Sequence, residues 1–410
     1  MNADITRPRR LALFNALENN QIILIFANSE QEGIEKFHQD NHFLYFTGIM
    51  VPDAVYCLGK LQNRQIEHLF IQRGIPEREV WDGKKLSAEE ARSSTGLESV
   101  KYLDEFYTYL NSYCPGTEKI WSNIGNPQIG KPLNYPSFML KPLRKIFPAI
   151  TIESINNLVR GMRSIKSEWE INQMQKAINL TGDGFLDVLH QAKTGMMEYE
   201  LEAILYYRMQ RNGVQKWGFA PIIAAGINAT TLHYKQNNSC IAENDIVLMD
   251  IGASYLNYSA DITRCFPVNG RFTARQKAVY DEVLGIQKAI IDTVKPGVSL
   301  TFLNERTNEL MQEALIRLGL IQTKEEFRRY YMHSISHHLG MDTHDLGARD
   351  SILESGNVIT VEPGIYIPEE KLGIRIEDDI LVTEDGHVNL SSHIPKEIAE
   401  LEAIRQEALK

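Results

Sequence analysis

The sequence has little cysteine, no run of basic residues and no long apolar segment. Its cysteines include no C-x-x-C pair, which argues against a zinc ribbon and a disulfide framework: they are Cys57, Cys114, Cys240 and Cys265. The net charge of −10 without a basic patch argues against a nucleic-acid surface. QIILIFA is too short to cross a bilayer, and the amino terminus lacks a signal-peptide core. We therefore expect a cytoplasmic protein that binds neither nucleic acid nor membranes.

Nucleophilic side-chain signatures are also missing. The sequence has no G-x-S-x-G elbow and no cysteine-protease signature, so a serine or cysteine nucleophile is not indicated.

The length and composition predict two domains. A chain of 410 residues with 43% hydrophobic content can form more than one core. A helical pattern near residues 7–19 precedes the apolar strand QIILIFA, and strands and helices alternate up to about residue 150. This alternation is typical of an α/β domain.

The segment NLVRGMRSIKSEWEINQMQKAINL marks the boundary between the domains. Ser167 followed by Glu170 predicts a capping box that opens an amphipathic helix. We therefore predict an amino-terminal domain over residues 1–158 and a second domain over residues 159–410.

Two aspartates in the second domain are predicted to face each other. Asp250 and Asp261 lie in DIVLMDIGASYLNYSADITRCF, which reads as two strands joined through the turn-prone residues 252–258. A hairpin would bring the two carboxylates together. A buried pair of this kind needs a cation, a proton or an arginine, and Arg264 is near in sequence.

Three further potential ligands follow in the chain. His337 lies in MHSISHHLGMDTHDLG, and the strand-like runs VITVE and GIRIE end in Glu362 and Glu377. Four carboxylates and one imidazole form an oxygen-rich set, which suits two divalent metal ions. Manganese gains from the excess of oxygen, with cobalt or zinc as alternatives.

Each of these positions alone has a simpler interpretation. An aspartate after a strand is usually a turn former or a cap. Glu362 precedes Pro363 and Gly364 and would then enter a turn, while a single histidine such as His337 is usually a hydrogen-bonded core or surface residue. The joint occurrence of five such residues favours the metal site.

Several segments carry a family resemblance. VLMDIGASYLNYSADITRCFPVNGRFT, MHSISHHLGMDTHDLG, VITVEPGIYI and GIRIEDDILVT resemble the M24 metallopeptidases, and aminopeptidase P most of all. NHFLYFTGIMVPDAVYCL and REVWDGKKL resemble the amino-terminal domain of that group. The resemblance implies an α/β amino-terminal domain and an α+β catalytic domain of the pita-bread fold. It also implies metals on the concave face of a curved antiparallel sheet.

The resemblance also implies roles for individual residues. Glu362 would be the general base as well as a metal ligand, and His344 would steady the carbonyl oxygen during attack. His233 is implied to be catalytic as well. The residues implied to line the substrate site are His233, His333, His344, Arg349 and Trp81, the last from a neighbouring subunit of a homodimer or homotetramer. Arg375, two residues before Glu377 on an alternating strand, is predicted to reach the carboxylates and the substrate.

The activity implied is removal of the first residue from peptides with proline in the second position. A Xaa–Pro amide has no N–H and a fixed ring, so it requires a dedicated pocket. Prolidase, which cleaves Xaa-Pro dipeptides, shares the architecture and the five-ligand pattern and stays as the alternative. A non-enzymatic binding module on the same fold is the third hypothesis, although all five ligands are present.

Overall fold

The computed structural model describes residues 1–30, 36–126, 128–214, 216–348 and 350–410. The chain divides into two compact units, Met1–Met162 and Arg163–Lys410. None of the helices in the described part of the chain has the length and apolar character that spanning a bilayer requires.

The amino-terminal unit is built on a mixed six-stranded sheet. Its strands are β1 Gln21–Phe26, β2 Val55–Leu61, β3 Arg64–Ile71, β4 Val100–Tyr102, β5 Lys119–Ser122 and β6 Thr151–Ser154. Their order is β4-β3-β2-β1-β5-β6, with β2 antiparallel to both neighbours and the remaining pairs parallel. Strand β1 is buried at every position, because its sequence QIILIF is apolar on both faces after Gln21. The predicted α/β pattern is confirmed.

Helices surround this sheet and lead to the boundary between the units. They are α1 Ala3–Asn15, α2 Asn41–Thr47, α3 Pro76–Asp82, α4 Ala88–Thr95, α5 Phe106–Tyr113, α6 Tyr135–Met139, α7 Lys141–Ile146 and α8 Asn156–Ser164. The first helix begins earlier than the predicted residue 7, because the side chain of Asn2 caps it by accepting from the Ile5 N–H.

The second unit combines helices with antiparallel strands. Its helices are α9 Glu168–Gln191, α10 Glu198–Arg211, α11 Ala274–Ile291, α12 Leu300–Arg317 and α13 Ile398–Ala408. The capping box predicted from Ser167 and Glu170 opens α9, with both hydrogen bonds formed. The strands are β7 Lys216–Trp217, β8 Ile222–Ala225, β9 Ile246–Ile251, β10 Ala253–Tyr255, β11 Tyr258–Ser259, β12 Ile262–Pro267, β13 Val358–Val361, β14 Gly364–Ile367, β15 Leu372–Arg375, β16 Asp378–Val382 and β17 His387–Asn389.

These strands form small antiparallel sheets in the orders β8-β9-β12, β7-β10-β11, β13-β16-β17 and β14-β15. The predicted hairpin is confirmed, since β9 pairs with β12 and places Asp250 opposite Thr263. Its turn region folds into a second hairpin of β10 and β11, with Leu256 and Asn257 at φ of 49° and 64°. Gly252 allows the two chain segments to approach each other closely, because a Cβ at this position would lie 2.0 Å from the Ala260 carbonyl oxygen.

Candidate metal centre and active-site cavity

Four of the five predicted ligands lie at or beside strand ends in the second unit, and His337 lies in a loop that hydrogen-bonds to β13. Asp250 is in β9, Asp261 immediately precedes β12, Glu362 follows β13 and Glu377 lies between β15 and β16. Backbone hydrogen bonds join these ends: the Glu377 N–H donates to Thr263 at 3.0 Å, and the Thr360 N–H donates to His337 at 3.0 Å. These backbone hydrogen bonds between strand ends and loops therefore fix the positions from which the ligand side chains project.

Three of these side chains form a compact cluster. The ligand atoms of Asp261, His337 and Glu377 all lie within 4.8 Å of one another. His337 Nε2 is 3.4 Å from Asp261 Oδ2 and 3.7 Å from Glu362 Oε1, which adds a fourth member.

The orientation of His337 makes this a cluster of electron-pair donors. Burial first, and then His344, lowers the pKa of His337 to about 4, so the ring is neutral at pH 7. Nδ1 lies 3.1 Å from the carbonyl oxygen of His338, to which a neutral ring donates its only proton. Nε2 then presents a lone pair to the carboxylate oxygens of Asp261 and Glu362. Such a set of acceptors fits a cation.

The pKa values of the carboxylates also indicate a cation site. Burial, followed by the charges of Glu377 and Asp250, holds the pKa of Asp261 well above its usual range. Burial also raises the pKa of Glu377, with Glu362 adding to it, and raises the pKa of Glu362 to about 8. Acids that so strongly oppose one another's ionisation are the type of site that a divalent cation stabilises.

Asp250 is oriented by a buried arginine. Arg375 Nη2 donates to Asp250 Oδ2 at 2.6 Å, while its Nη1 donates to the Tyr366 hydroxyl at 2.9 Å and its Nε to Thr263 Oγ1 at 3.2 Å. Asp250 Oδ1 is buried and has no hydrogen-bond donor among the described residues, which leaves it available to a cation. Arg264 does not neutralise the aspartates, because it pairs with Asp378 at 2.7 Å.

We expect Arg375→Lys to weaken metal binding by about 10- to 100-fold, the usual cost of losing a group that orients a ligand. A lysine cannot hold Asp250, Thr263 and Tyr366 together, because it lacks the planar array of donors. The measurement is activity against metal concentration, with the exposed Arg329→Lys as control. An unchanged midpoint in the Arg375 variant would contradict this role.

The cluster opens into a cavity of about 600 Å³ that is lined by predicted substrate residues, among them His233, His333 and His344. The ring of His344 meets that of His337 edge to face, with centroids 4.4 Å apart. His333 Nε2 lies 2.9 Å from the Tyr366 hydroxyl, so this histidine shares a hydrogen-bond partner with Arg375. The three histidines therefore line the same cavity as the acidic cluster.

The residue after His344 is held by a buried ionic network. Asp345 Oδ1 lies 2.6 Å from Arg163 Nη2, and its Oδ2 lies 3.4 Å from Lys166 Nζ. Although burial opposes the effect, these two cations lower the pKa of Asp345 below its ordinary value. The network fixes the loop that carries His344 into the cavity.

Asp345→Asn should lower the stability of the second unit by about 3–5 kcal/mol at neutral pH, because it removes the buried carboxylate beside Lys166 and leaves Arg163 with only its half-exposed partner Asp342. Since the folded pKa of Asp345 is depressed, its contribution is present above its unfolded pKa near 4 and is lost as the pH falls through the folded value. Urea unfolding at pH 7 and in acid measures both effects. Asp342→Asn, at a half-exposed partner of Arg163, should cost less, and equal losses would contradict the account.

Two further predicted residues lie outside the described part of the second unit. Trp81 lies on α3 of the amino-terminal unit and is 86% exposed. Arg349 lies outside the described residues.

Sequence reasoning missed Thr263 and Tyr366. Thr263 Oγ1 donates to Glu377 Oε2 at 2.6 Å, and Tyr366 bridges Arg375 and His333. The spacing of Thr263, two residues after Asp261, was an available signal, because alternate residues of a strand share a face.

Comparisons with known proteins agree with this geometry. Residues 172–384 match metallopeptidase family M24, and residues 6–121 match the aminopeptidase P, N-terminal domain. The chain belongs to metallopeptidase family M24, and the predicted fold class is confirmed.

The chain is similar to Xaa-Pro aminopeptidases over most of its length. Xaa-Pro aminopeptidase 3 of Rattus norvegicus is 37% identical over 390 residues, which cover 90% of this chain and 76% of the rat protein. The Xaa-Pro aminopeptidase of Escherichia coli K12 is 31% identical, with 98% of this chain and 97% of that protein covered. A solved structure of E. coli aminopeptidase P with the inhibitor Pro-Leu has a TM-score of 0.91 at 30% identity, over 100% of this chain and 99% of that one.

Proposed function

We propose that the protein is a metal-dependent Xaa-Pro aminopeptidase, which hydrolyses the bond between the first residue of a peptide and a proline in the second position. The observation that carries the proposal is the cluster of acceptors formed by Asp261, His337, Glu362 and Glu377 beside a histidine-lined cavity. The rat and E. coli relatives are named Xaa-Pro aminopeptidases, so the dipeptidase alternative is not favoured.

The proposed ligands are Asp250, Asp261, His337, Glu362 and Glu377. Two divalent cations bound there would supply a nucleophilic hydroxide near neutral pH and polarise the scissile carbonyl. We propose Mn²⁺, because four of the five donors are carboxylates, with Co²⁺ or Zn²⁺ as alternatives. The structure of Zn-substituted E. coli aminopeptidase P in complex with product supports zinc as one of these alternatives.

The side chains around the cluster have separate tasks in this proposal. Glu362 accepts the proton of the attacking water and passes it to the departing proline nitrogen. His344 donates to the carbonyl oxygen as it becomes tetrahedral, a contribution of about 3–4 kcal/mol for one well-placed donor. His233 and His333 line the substrate site, and Arg375 holds Asp250 in position.

We further propose that the protein is a cytoplasmic homodimer or homotetramer. The free state of its cysteines in the structure is consistent with a reducing compartment. An exposed tryptophan such as Trp81 is typical of a contact surface, and we propose that Trp81 reaches the substrate cleft of a neighbouring subunit.

The function is tested with a matched pair of substrates, Ala-Pro and Ala-Pro-Ala, and metal-stripped protein resupplied with Mn²⁺, Co²⁺ or Zn²⁺. We expect release of alanine from the tripeptide. Cleavage of the dipeptide alone would indicate a prolidase, and no cleavage with any metal would contradict both activities.

A further inference from the structure

Glu198, the first residue of α10, is a fully buried carboxylate that takes no part in the acidic cluster. Its Oε1 accepts from the Ala225 N–H at 2.8 Å and from the side-chain amide of Asn228 at 2.9 Å. Its Oε2 accepts from the Tyr234 hydroxyl at 2.8 Å and from the Ser239 N–H at 2.9 Å. These four donors are neutral, so the buried carboxylate is stabilised by hydrogen bonds rather than by a paired cation.

All four donors belong to one segment, residues 225–239. Ala225 ends β8 and Ser239 closes the segment, so a single carboxylate ties its two ends together. The backbone strengthens this connection, since the Glu198 N–H donates to the Ser239 carbonyl at 3.0 Å. We call residues 225–239 the His233 segment.

The middle of the His233 segment lines the active-site cavity. Leu232, His233 and Lys235 contribute to its wall, whereas Tyr234 between them is buried with its hydroxyl on Glu198. The hydrogen bond to Glu198 therefore holds the residue that follows His233 in the chain.

We propose that Glu198 is a positioning residue that holds His233 against the substrate. The proposal rests on the proposed peptidase function. A displacement of about 1 Å in a group that orients substrate can cost up to about 100-fold in rate. A glutamine at position 198 would offer one acceptor oxygen and turn an N–H group towards a donor, so the His233 segment would lose part of its anchor.

The test combines Glu198→Gln and Tyr234→Phe with His233→Ala on Mn²⁺-loaded protein and Ala-Pro-Ala. We expect Glu198→Gln to lower kcat by about 10- to 100-fold with little change in KM, and Tyr234→Phe to give a smaller loss in the same direction. The control is Glu200→Gln, at an exposed carboxylate of the same helix turn that accepts from the Met197 N–H, and it should retain kcat within about twofold.

The double variants separate positioning from a general loss of structure. If Glu198 acts through His233, Glu198→Gln causes no further loss in a His233→Ala background, because residues of one network are not additive. The proposal would be overturned if Glu198→Gln lowered kcat as much in the His233→Ala background as in the wild type. An unchanged kcat in the single variant Glu198→Gln would also overturn it. Should Glu198→Gln not fold, Tyr234→Phe carries the same comparison with His233→Ala.

Amide hydrogen exchange gives a readout that does not depend on activity. Faster exchange confined to residues 225–239 in Glu198→Gln or Tyr234→Phe supports the anchor, and unchanged exchange in both overturns it. A wild-type protein that cleaves no Xaa-Pro peptide would instead contradict the proposed function. The two failures are therefore distinguishable.

Discussion

Replacing Asp261 with asparagine is expected to abolish metal binding and turnover while the chain remains folded. Asp261 lies 3.4 Å from His337 Nε2 and belongs to the compact cluster with Glu377, so its charge is central to the proposed site. Removing a group that only orients a ligand costs about 10- to 100-fold, and removal of a ligand should exceed the upper end of that range. The fold should survive, since one fewer carboxylate relieves repulsion among buried acids.

The experiment measures manganese per chain and the rate on Ala-Pro-Ala for Asp261→Asn, together with its thermal midpoint. Asp281→Asn, at an exposed position of α11, is the matched control for loss of one acidic charge. Full activity with unchanged metal content in Asp261→Asn would refute the assignment of the site.

Glu362→Gln is expected to lower kcat by about 10²–10⁴-fold while KM changes little, because the variant loses a proton shuttle and keeps an oxygen for the metal. Glu362 is the member of the cluster that also approaches a histidine of the cavity wall: its Oε1 is 3.7 Å from His337 Nε2, and its Oε2 is 3.8 Å from His333 Nδ1. A proton shuttle must contact both the attacking water, at the acidic cluster, and the departing nitrogen, in the cavity, and Glu362 lies where it can reach both.

Steady-state kinetics across a range of Mn²⁺ concentrations distinguish this role from ligation alone. If added Mn²⁺ restored the rate of Glu362→Gln, or if kcat and substrate affinity fell together, Glu362 would be a ligand without a shuttle role. The wild-type protein at the same metal concentrations is the reference.

The local features of the site were predictable from sequence because they rest on short-range patterns. Asp250 and Asp261 flank a turn-prone stretch between apolar runs, and the structure pairs β9 with β12 as expected. The capping box at Ser167 and Glu170 also follows from a fixed spacing of three residues. Such patterns place a side chain on a strand end or a helix end.

The remaining features depend on contacts between residues distant in sequence. Strand alternation predicted that Arg375 reaches the carboxylates, but not that its partner is Asp250, 125 positions away. Glu198 reaches Tyr234 across 36 positions, and no periodicity encodes that pair. The second hairpin of β10 and β11 was also missed, because its strands have only three and two residues. The pita-bread expectation came from the resemblance, since spacing alone does not specify how the small antiparallel sheets assemble.

Anomalous diffraction from crystals of the full chain soaked in Mn²⁺ would show directly whether the five side chains bind metal. We expect two anomalous peaks within bonding distance of Asp250, Asp261, His337, Glu362 and Glu377. No peak at this cluster, or manganese bound only elsewhere, would contradict the proposed metal site.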